Sequence, residues 1–550
     1  MHRALLTCVL LLLAAPAVAR AEGEPIMPLE QVQKGMRCQA ASVFQGTAIS
    51  SFDIEILDVI QGDSAAEAPR ILFRASGAAV DATGVGPGFS GSPIRCPDGA
   101  GVMRNIGAIS EGIGEYGGKV ALATPIQLIL GEPVEPPASA RRSSATLRSA
   151  RPLATPLTLA GASGPMAGAL QRAAKRAGRV LLLSPGTAPR SSFAFPVAPL
   201  VPGSAVAVGY TSGAVSIGAV GTVAYVDGST VWAFGHPLDG AGRRSLLLQD
   251  AYVYTVVNNP VQSSELSTYK LAAPGHDIGT LSNDANSAVV GVTGAAPPTY
   301  PLQVVAHDLD TGRVRSQVTK VTDESDLGLP AGGSALSLAA TTAVGNAAAV
   351  TLSGASTRQS GSMCMRVTVR ELKKPMRFCN TYVGGGPGPN SAVVGDVGTA
   401  VSLLDTFEYA NFHISKVDVN LKLRRSYPQA FIRKATVARR AVRRGSRLKV
   451  RLSLRRSRGG IFSRTISVRV PRGMPVGDRK LLLEGTGPDT GGSVEDSLTS
   501  VLDLGSLAPD SDGDEPRTLG QLRTAFGDIH RYDGITTSFQ PEDDDSSVED

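Results

Sequence analysis

Apolar and polar positions alternate with a period of two along several short runs of this 550-residue chain. Phe52-Asp53-Ile54-Glu55-Ile56-Leu57 puts apolar side chains on one face and carboxylates on the other, the pattern of a half-buried strand. Leu448-Lys449-Val450-Arg451-Leu452-Ser453-Leu454 and Ile466-Ser467-Val468-Arg469-Val470 alternate in the same way. Arg70 to Phe73, Asn105 to Ile109, Lys119 to Leu122, Gly221 to Tyr225 and Trp232-Ala233-Phe234 predict further short strands bounded by Gly and Pro. Helical spacing is rarer. Met166 to Ala177 keeps Leu170, Ala173 and Ala174 on one face and is followed by Gly178, a natural stop. Leu336 to Ala349, Val397 to Phe407 and Leu519 to Phe526 predict other helices, and Pro125 opens a short one reaching Leu130. The pattern as a whole predicts a mainly β protein.

Interruptions of that pattern divide the chain. His2 and Arg3 precede an apolar run, Ala4 to Ala15, with small-residue sites at Ala17-Val18-Ala19 and Ala19-Arg20-Ala21, so residues 1–21 read as a secretory signal cleaved after Ala21. No later apolar stretch is long enough to span a membrane, and none is expected in the mature protein. Residues 132–152 are rich in Pro, Ser, Ala and Arg and read as an exposed linker carrying Arg141-Arg142, a candidate cleavage site. Residues 320–430 predict a mixed α/β accessory region, 433–487 a small β-sandwich module, and 488–550 an acidic, partly disordered tail.

Cysteine and charge refine this picture. Beyond Cys8 in the leader, four cysteines remain, an even number that suits disulfides in an exported protein. Cys364 and Cys379 flank a turn at Glu371 to Pro375 and would face each other across a hairpin; Cys38 and Cys96 pair by elimination. The net charge of +6 is unevenly spread: Lys422 to Arg458 is basic and free of acids, whereas Asp510 to Asp550 is acid-rich. The basic region lacks the interleaved aromatics of a single-strand nucleic-acid binder, so no nucleic acid is expected. In an exported protein it would meet an anionic cell-envelope polymer through 422–458, or the acidic tail.

Chemistry concentrates in Gly88-Phe89-Ser90-Gly91-Ser92-Pro93. Small residues around one serine suit a tight loop that presents a nucleophilic hydroxyl, with the N–H groups of Gly88 and Ser90 forming an oxyanion hole. A base is needed, and His236 in Phe234-Gly235-His236-Pro237 is the first candidate, because the following proline restricts its backbone. His276 in Pro274-Gly275-His276-Asp277 is second, and His413 alternates with Phe412 and Ile414 as a strand residue does. For the orienting carboxylate, Asp81 lies nearest Ser90 in sequence, and Asp239, Asp250 and Asp284 stay open. No metal-ligand spacing appears, and the Gly384–Pro389 run lacks the Lys-Ser/Thr of a phosphate cradle, so neither metal nor cofactor is expected.

These segments resemble those of the SpoIVB family of serine peptidases, sporulation-type peptidases and their larger exported relatives. Ser42-Val43-Phe44-Gln45-Gly46-Thr47 with Phe52 to Leu57, the Gly84–Ile94 loop, Ile106-Gly107-Ala108, Gly221 to Gly240 and Ile278 to Gly291 carry the resemblance. They fall within residues 28–310. The resemblance implies a chymotrypsin-like double β-barrel with Ser90 as nucleophile and His236 as base. Three departures accompany it. Ser90 precedes His236, the reverse of the sporulation peptidase, which implies a circular permutation. Phe89 stands where the family has methionine. Ala75 and Ser76 lie where the family carries its aspartate, leaving Asp81 as the substitute. The expected function is an exported serine endopeptidase, extracellular, cell-wall-associated or periplasmic, acting on protein or peptide. The alternative is a weakened or inactive peptidase-fold protein that binds envelope components.

Overall fold

The computed structural model describes residues 23–541 except 63–67, 114–117, most of 133–138, 143–150, 153–155, 187–194, 198, 259–267, 325–333, 353–357, 385–390, 487–492 and 503–514. The expected leader, residues 1–21, lies outside the described residues.

Six strands come first: β1 (Arg37–Gln45), β2 (Ala48–Gln61), β3 (Arg70–Ser76), β4 (Pro93–Pro97), β5 (Met103–Gly112) and β6 (Val120–Pro125). Strand β1 pairs with both β2 and β4, so the sheet closes on itself in the order β1-β2-β3-β6-β5-β4. Alternation decides what goes inside. Phe52, Ile54 and Ile56 of β2 are buried, whereas Asp53 faces outward. They meet Ile71, Phe73, Phe89, Ile94, Ile106 and Ile109 in one core. Cys38 and Cys96 form a disulfide that ties β1 to β4, the pair that closes the ring.

A second ring follows, from β7 (Ala205–Gly213), β8 (Ser216–Asp227), β9 (Thr230–Ala233), β10 (Gly242–Asn258), β11 (Thr268–Ala285) and β12 (Ala288–Thr293). Its order is β7-β8-β9-β12-β11-β10, with β10 pairing back to β7. Counted from its first strand, each ring therefore has the same order. The molecule is mainly β, as the alternation predicted, and its six-stranded rings are closed. Helix α1 (Ile126–Leu130) follows β6, beginning after Pro125 and ending at Gly131 in the left-handed conformation. The Arg141–Arg142 backbone lies in a short strand beside the end of β2, so this part of the expected linker joins the first sheet.

The accessory region extends the second barrel's sheet instead of starting a new one. Strands β13 (Thr299–Asp308) and β14 (Val314–Thr322) lead from β7 to β15 (Gln359–Val369), β16 (Met376–Gly384) and β17 (Ile414–Arg424). The parallel pair β13–β17 makes the join. Cys364 sits opposite Cys379 across the β15–β16 hairpin, and the two are bonded. Helices α2 (Gly164–Arg176), α3 (Ala335–Thr351), α4 (Ser391–Asp405) and α5 (Val494–Leu502) pack together beside this sheet. Helix α3 is buried almost all round, and its Ala, Ser, Thr and Gly residues permit that close approach. Ser334 caps it by accepting from the Ser337 N–H.

Strands β18 (Ala430–Val437), β19 (Arg447–Arg456) and β20 (Ile461–Arg469) form a small sheet facing the pair β21 (Arg479–Gly485) and β22 (Ile535–Pro541). Leu448, Val450, Leu452 and Val468 pack against Leu481, Leu483, Ile535 and Phe539 between them. The expected sandwich therefore borrows a strand from the tail. That tail also supplies helix α6 (Leu519–Gly527) and Tyr532, which donates to buried Asp396 beside Tyr382 and Asn380.

Candidate active site at the junction of the two barrels

The Gly88–Ser92 loop sits where the first ring meets the second. Gly88 and Gly91 both have φ of +92°, the left-handed region that glycine tolerates. Space demands glycine as well. A Cβ on Gly91 would fall on the Thr222 carbonyl and 2.6 Å from the Phe234 nitrogen. One on Gly88 would meet the Lys270 side chain at 2.8 Å. The loop folds on itself through Phe89 N–H to the Gly86 carbonyl and Ser92 N–H to the Phe89 carbonyl, 2.9 Å each. It docks on the second ring through Thr222 N–H to the Ser90 carbonyl at 2.8 Å and Lys270 N–H to the Pro87 carbonyl at 2.9 Å.

His236 follows the end of β9. Phe234 N–H donates to the Thr222 carbonyl at 3.2 Å, and that same residue holds Ser90 through its own N–H. A Cβ on Gly235 would lie 3.0 Å from the Ile109 carbonyl, which also accepts from Gly91 N–H at 2.8 Å. The Ser90 loop and the 234–236 segment thus lie against one another. Ser90 is fully buried and His236 is 4% exposed. The Ser90 hydroxyl makes no hydrogen bond among the described residues, so the direct contact expected between it and His236 is not formed. Neither Gly88 N–H nor Ser90 N–H donates to a backbone acceptor among the described residues. Both expected oxyanion donors are therefore uncommitted to other backbone groups.

The orientation of the imidazole differs from expectation. His236 Nδ1 lies 2.7 Å from the Pro237 carbonyl oxygen, which can only accept. Nδ1 therefore carries the hydrogen, and in the neutral imidazole the lone pair a base requires falls on Nε2. Asp81 does not take this position. Its carboxylate is exposed on the first barrel, 3.0 Å from Lys119 Nζ. Asp250 pairs with the second candidate base, its two oxygens accepting from the His276 backbone N–H at 2.5 Å and lying 2.9 Å from His276 Nδ1. Burial raises the Asp250 carboxyl above its ordinary value, against the lowering effect of His276.

Asp284 instead holds the loop that follows His236. It accepts from the N–H groups of Leu238, Asp239, Gly240 and Ala241 at 2.7, 2.9, 2.8 and 3.2 Å. Burial pushes this carboxyl upward even so. Asp239 accepts from Arg244 at 2.7 Å. Arg244 also pairs with Glu324 and lies over the Tyr210 ring.

Beneath the loop lies a group that sequence reasoning passed over. The Lys270 ammonium position is buried, 2.7 Å from Ser42 Oγ and 3.0 Å from Thr222 Oγ1. Burial brings this amine down to about 7. A lone lysine in an alternating strand carries no local signal of such a place. Among the described residues no cluster of side chains could hold a metal ion. Comparison with known proteins gives no match: no family model, no curated protein and no solved structure is similar to this chain.

Proposed function

We propose that this chain is an exported serine endopeptidase of the SpoIVB kind, with Ser90 as nucleophile and His236 as general base. The supporting observation is the junction itself: two six-stranded rings of the same strand order meet where the Ser90 loop lies against the His236 segment. Two such barrels with a site between them suit the chymotrypsin-like arrangement, and a serine that precedes its histidine suits a permuted version of it. His236 Nε2 would take the Ser90 proton as Oγ attacks the scissile carbonyl. The N–H groups of Gly88 and Ser90 would receive the oxyanion, and His236 would return the proton to the leaving amine. Water then cleaves the acyl-enzyme by the same route. Substrate would reach fully buried Ser90 only after the residues around it move. The two disulfides suit an oxidising destination, and no described helix is long and apolar enough to cross a membrane.

A second reading has its own observation. A carbonyl faces His236 Nδ1 where a carboxylate would better stabilise the imidazolium. A peptidase fold kept for binding would need no more than this. Arg447, Lys449 and Arg451 line the exposed face of β19, a surface for an anionic envelope polymer in either case. Cleavage of a fluorogenic peptide library by the mature protein, compared with Ser90→Ala, separates the two. Turnover lost on substitution supports the peptidase. Equal background rates after every activation treatment, with polymer binding retained, support the binding protein.

A further inference from the structure

We propose that Lys270 is the positioning residue of the nucleophile loop: its uncharged amine holds the loop in place, and its ammonium form loosens it. Ser92 has one hydroxyl hydrogen, and the Phe89 carbonyl 2.6 Å away can only accept it. Ser42 Oγ lies 2.9 Å from the same Ser92 hydroxyl and shares that hydrogen as a second acceptor. Thr222 spends its single hydrogen on the Gly88 carbonyl at 2.9 Å. Thr222 can then only accept from Lys270, whose Nζ donates to Ser42 Oγ at 2.7 Å and to Thr222 Oγ1 at 3.0 Å. Two N–H donors complete the network, and a neutral amine has two.

A third hydrogen has no oxygen waiting for it among these contacts. The Phe89 ring, centred 4.7 Å from Nζ, is what faces it, and a cation–π contact returns only part of the lost hydration. Nothing charged compensates. Ser42 comes from β1, Thr222 from β8, Val256 stands opposite on β10, and Gly88 and Phe89 come from the loop. Burial is the sole influence on the amine, and it brings protonation into the neutral range. Gly88 and Ser92, the two loop residues at the ends of this network, flank Ser90. The residues that Lys270 governs thus also set where the Gly88 and Ser90 N–H groups point.

The loosening does not require Ser90 to be a nucleophile; only its consequence for catalysis rests on the peptidase reading. Amide hydrogen exchange of the 86–92 and 220–224 peptides, corrected for intrinsic rates, reads the loop directly. In the wild-type protein, protection is expected to be about tenfold lower at about pH 5.5 than at about pH 8.5. Lys270→Met should abolish that difference. Equal protection at both pH values in the wild type overturns the proposal, as does an undiminished difference in Lys270→Met. If Lys270→Met does not fold, the wild-type comparison decides alone. A pH-dependent loop on a protein that never reacts at Ser90 would sink the peptidase reading and leave this one standing.

Discussion

Pro237 holds the His236 ring through its own carbonyl, a one-residue device that takes over the tautomer-setting part of a carboxylate's work. What a carbonyl does not supply is the negative charge that steadies an imidazolium. Two carboxylates nearby have separable roles, and substitution distinguishes them. Asp81 is exposed beside Lys119, so Asp81→Asn should leave Ser90 reactivity within about twofold and cost less than about 1 kcal/mol of stability. Asp284 anchors four N–H groups of the turn after His236. Asp284→Asn sets an amide donor against those donors and should cost about 1–3 kcal/mol, with at least about a tenfold loss of Ser90 reactivity. Equal losses in the two variants, measured by denaturant unfolding and labelling rate, would contradict this division. The sequence named Asp284 among three acids left open beside Asp81 but held no sign of its role, because backbone amides that converge on a carboxylate belong to the fold and not to a motif.

At the scale of elements, much of the fold was legible and the reason is periodicity. Strand β2 announces itself by Phe52, Ile54 and Ile56, and α2 by Leu170 and Ala173. The Cys364–Cys379 hairpin was legible from its central turn, and the second pair followed by elimination. Closure was not legible: nothing in β1 says that it pairs with both β2 and β4. Lys270 was equally silent, and its burial leads to a testable pH effect. Its folded value, about 7, lies below the roughly 10.4 of an exposed lysine. Between those values the unfolded chain binds more protons than the folded one, so stability should rise with pH across that window and gain nothing from this group below it. Lys270→Met should flatten the rise. A wild-type unfolding free energy that falls between about pH 7 and about pH 10, in excess of the variant's own trend, would contradict the assignment. Removing the hairpin disulfide by Cys364→Ala with Cys379→Ala closes no loop in the unfolded chain and should cost about 3 kcal/mol, read as a lower denaturant midpoint.

The whole molecule places a strongly basic sheet at one end of a chain whose central sheet passes continuously from barrel to accessory strands. Arg447, Lys449 and Arg451 alternate with buried Leu448, Val450 and Leu452, so one strand builds both a core and a charged face. No carboxylate occurs between Asp418 and Asp478 to neutralise that face locally. Binding to a polyanion such as polyglutamate should weaken steeply with salt, and replacing the three basic residues by Gln should weaken it further and flatten the salt dependence. Binding that ignores both salt and substitution would place the contact elsewhere. The tail was legible only in part: helical spacing marked α6, but nothing in the sequence showed that Tyr532 and β22 complete the accessory region and the sandwich, because a few apolar residues suffice to add an edge strand.

In the proposed enzyme, two barrels bring Ser90 and His236 together as one reactive unit. Labelling the mature protein with a fluorophosphonate, followed by peptide mapping, tests it most directly. The adduct should lie on Ser90, disappear in Ser90→Ala and fall by about 10⁴ in rate in His236→Ala. Labelling at another serine, or labelling of Ser90 that is indifferent to His236→Ala in a folded protein, would contradict it.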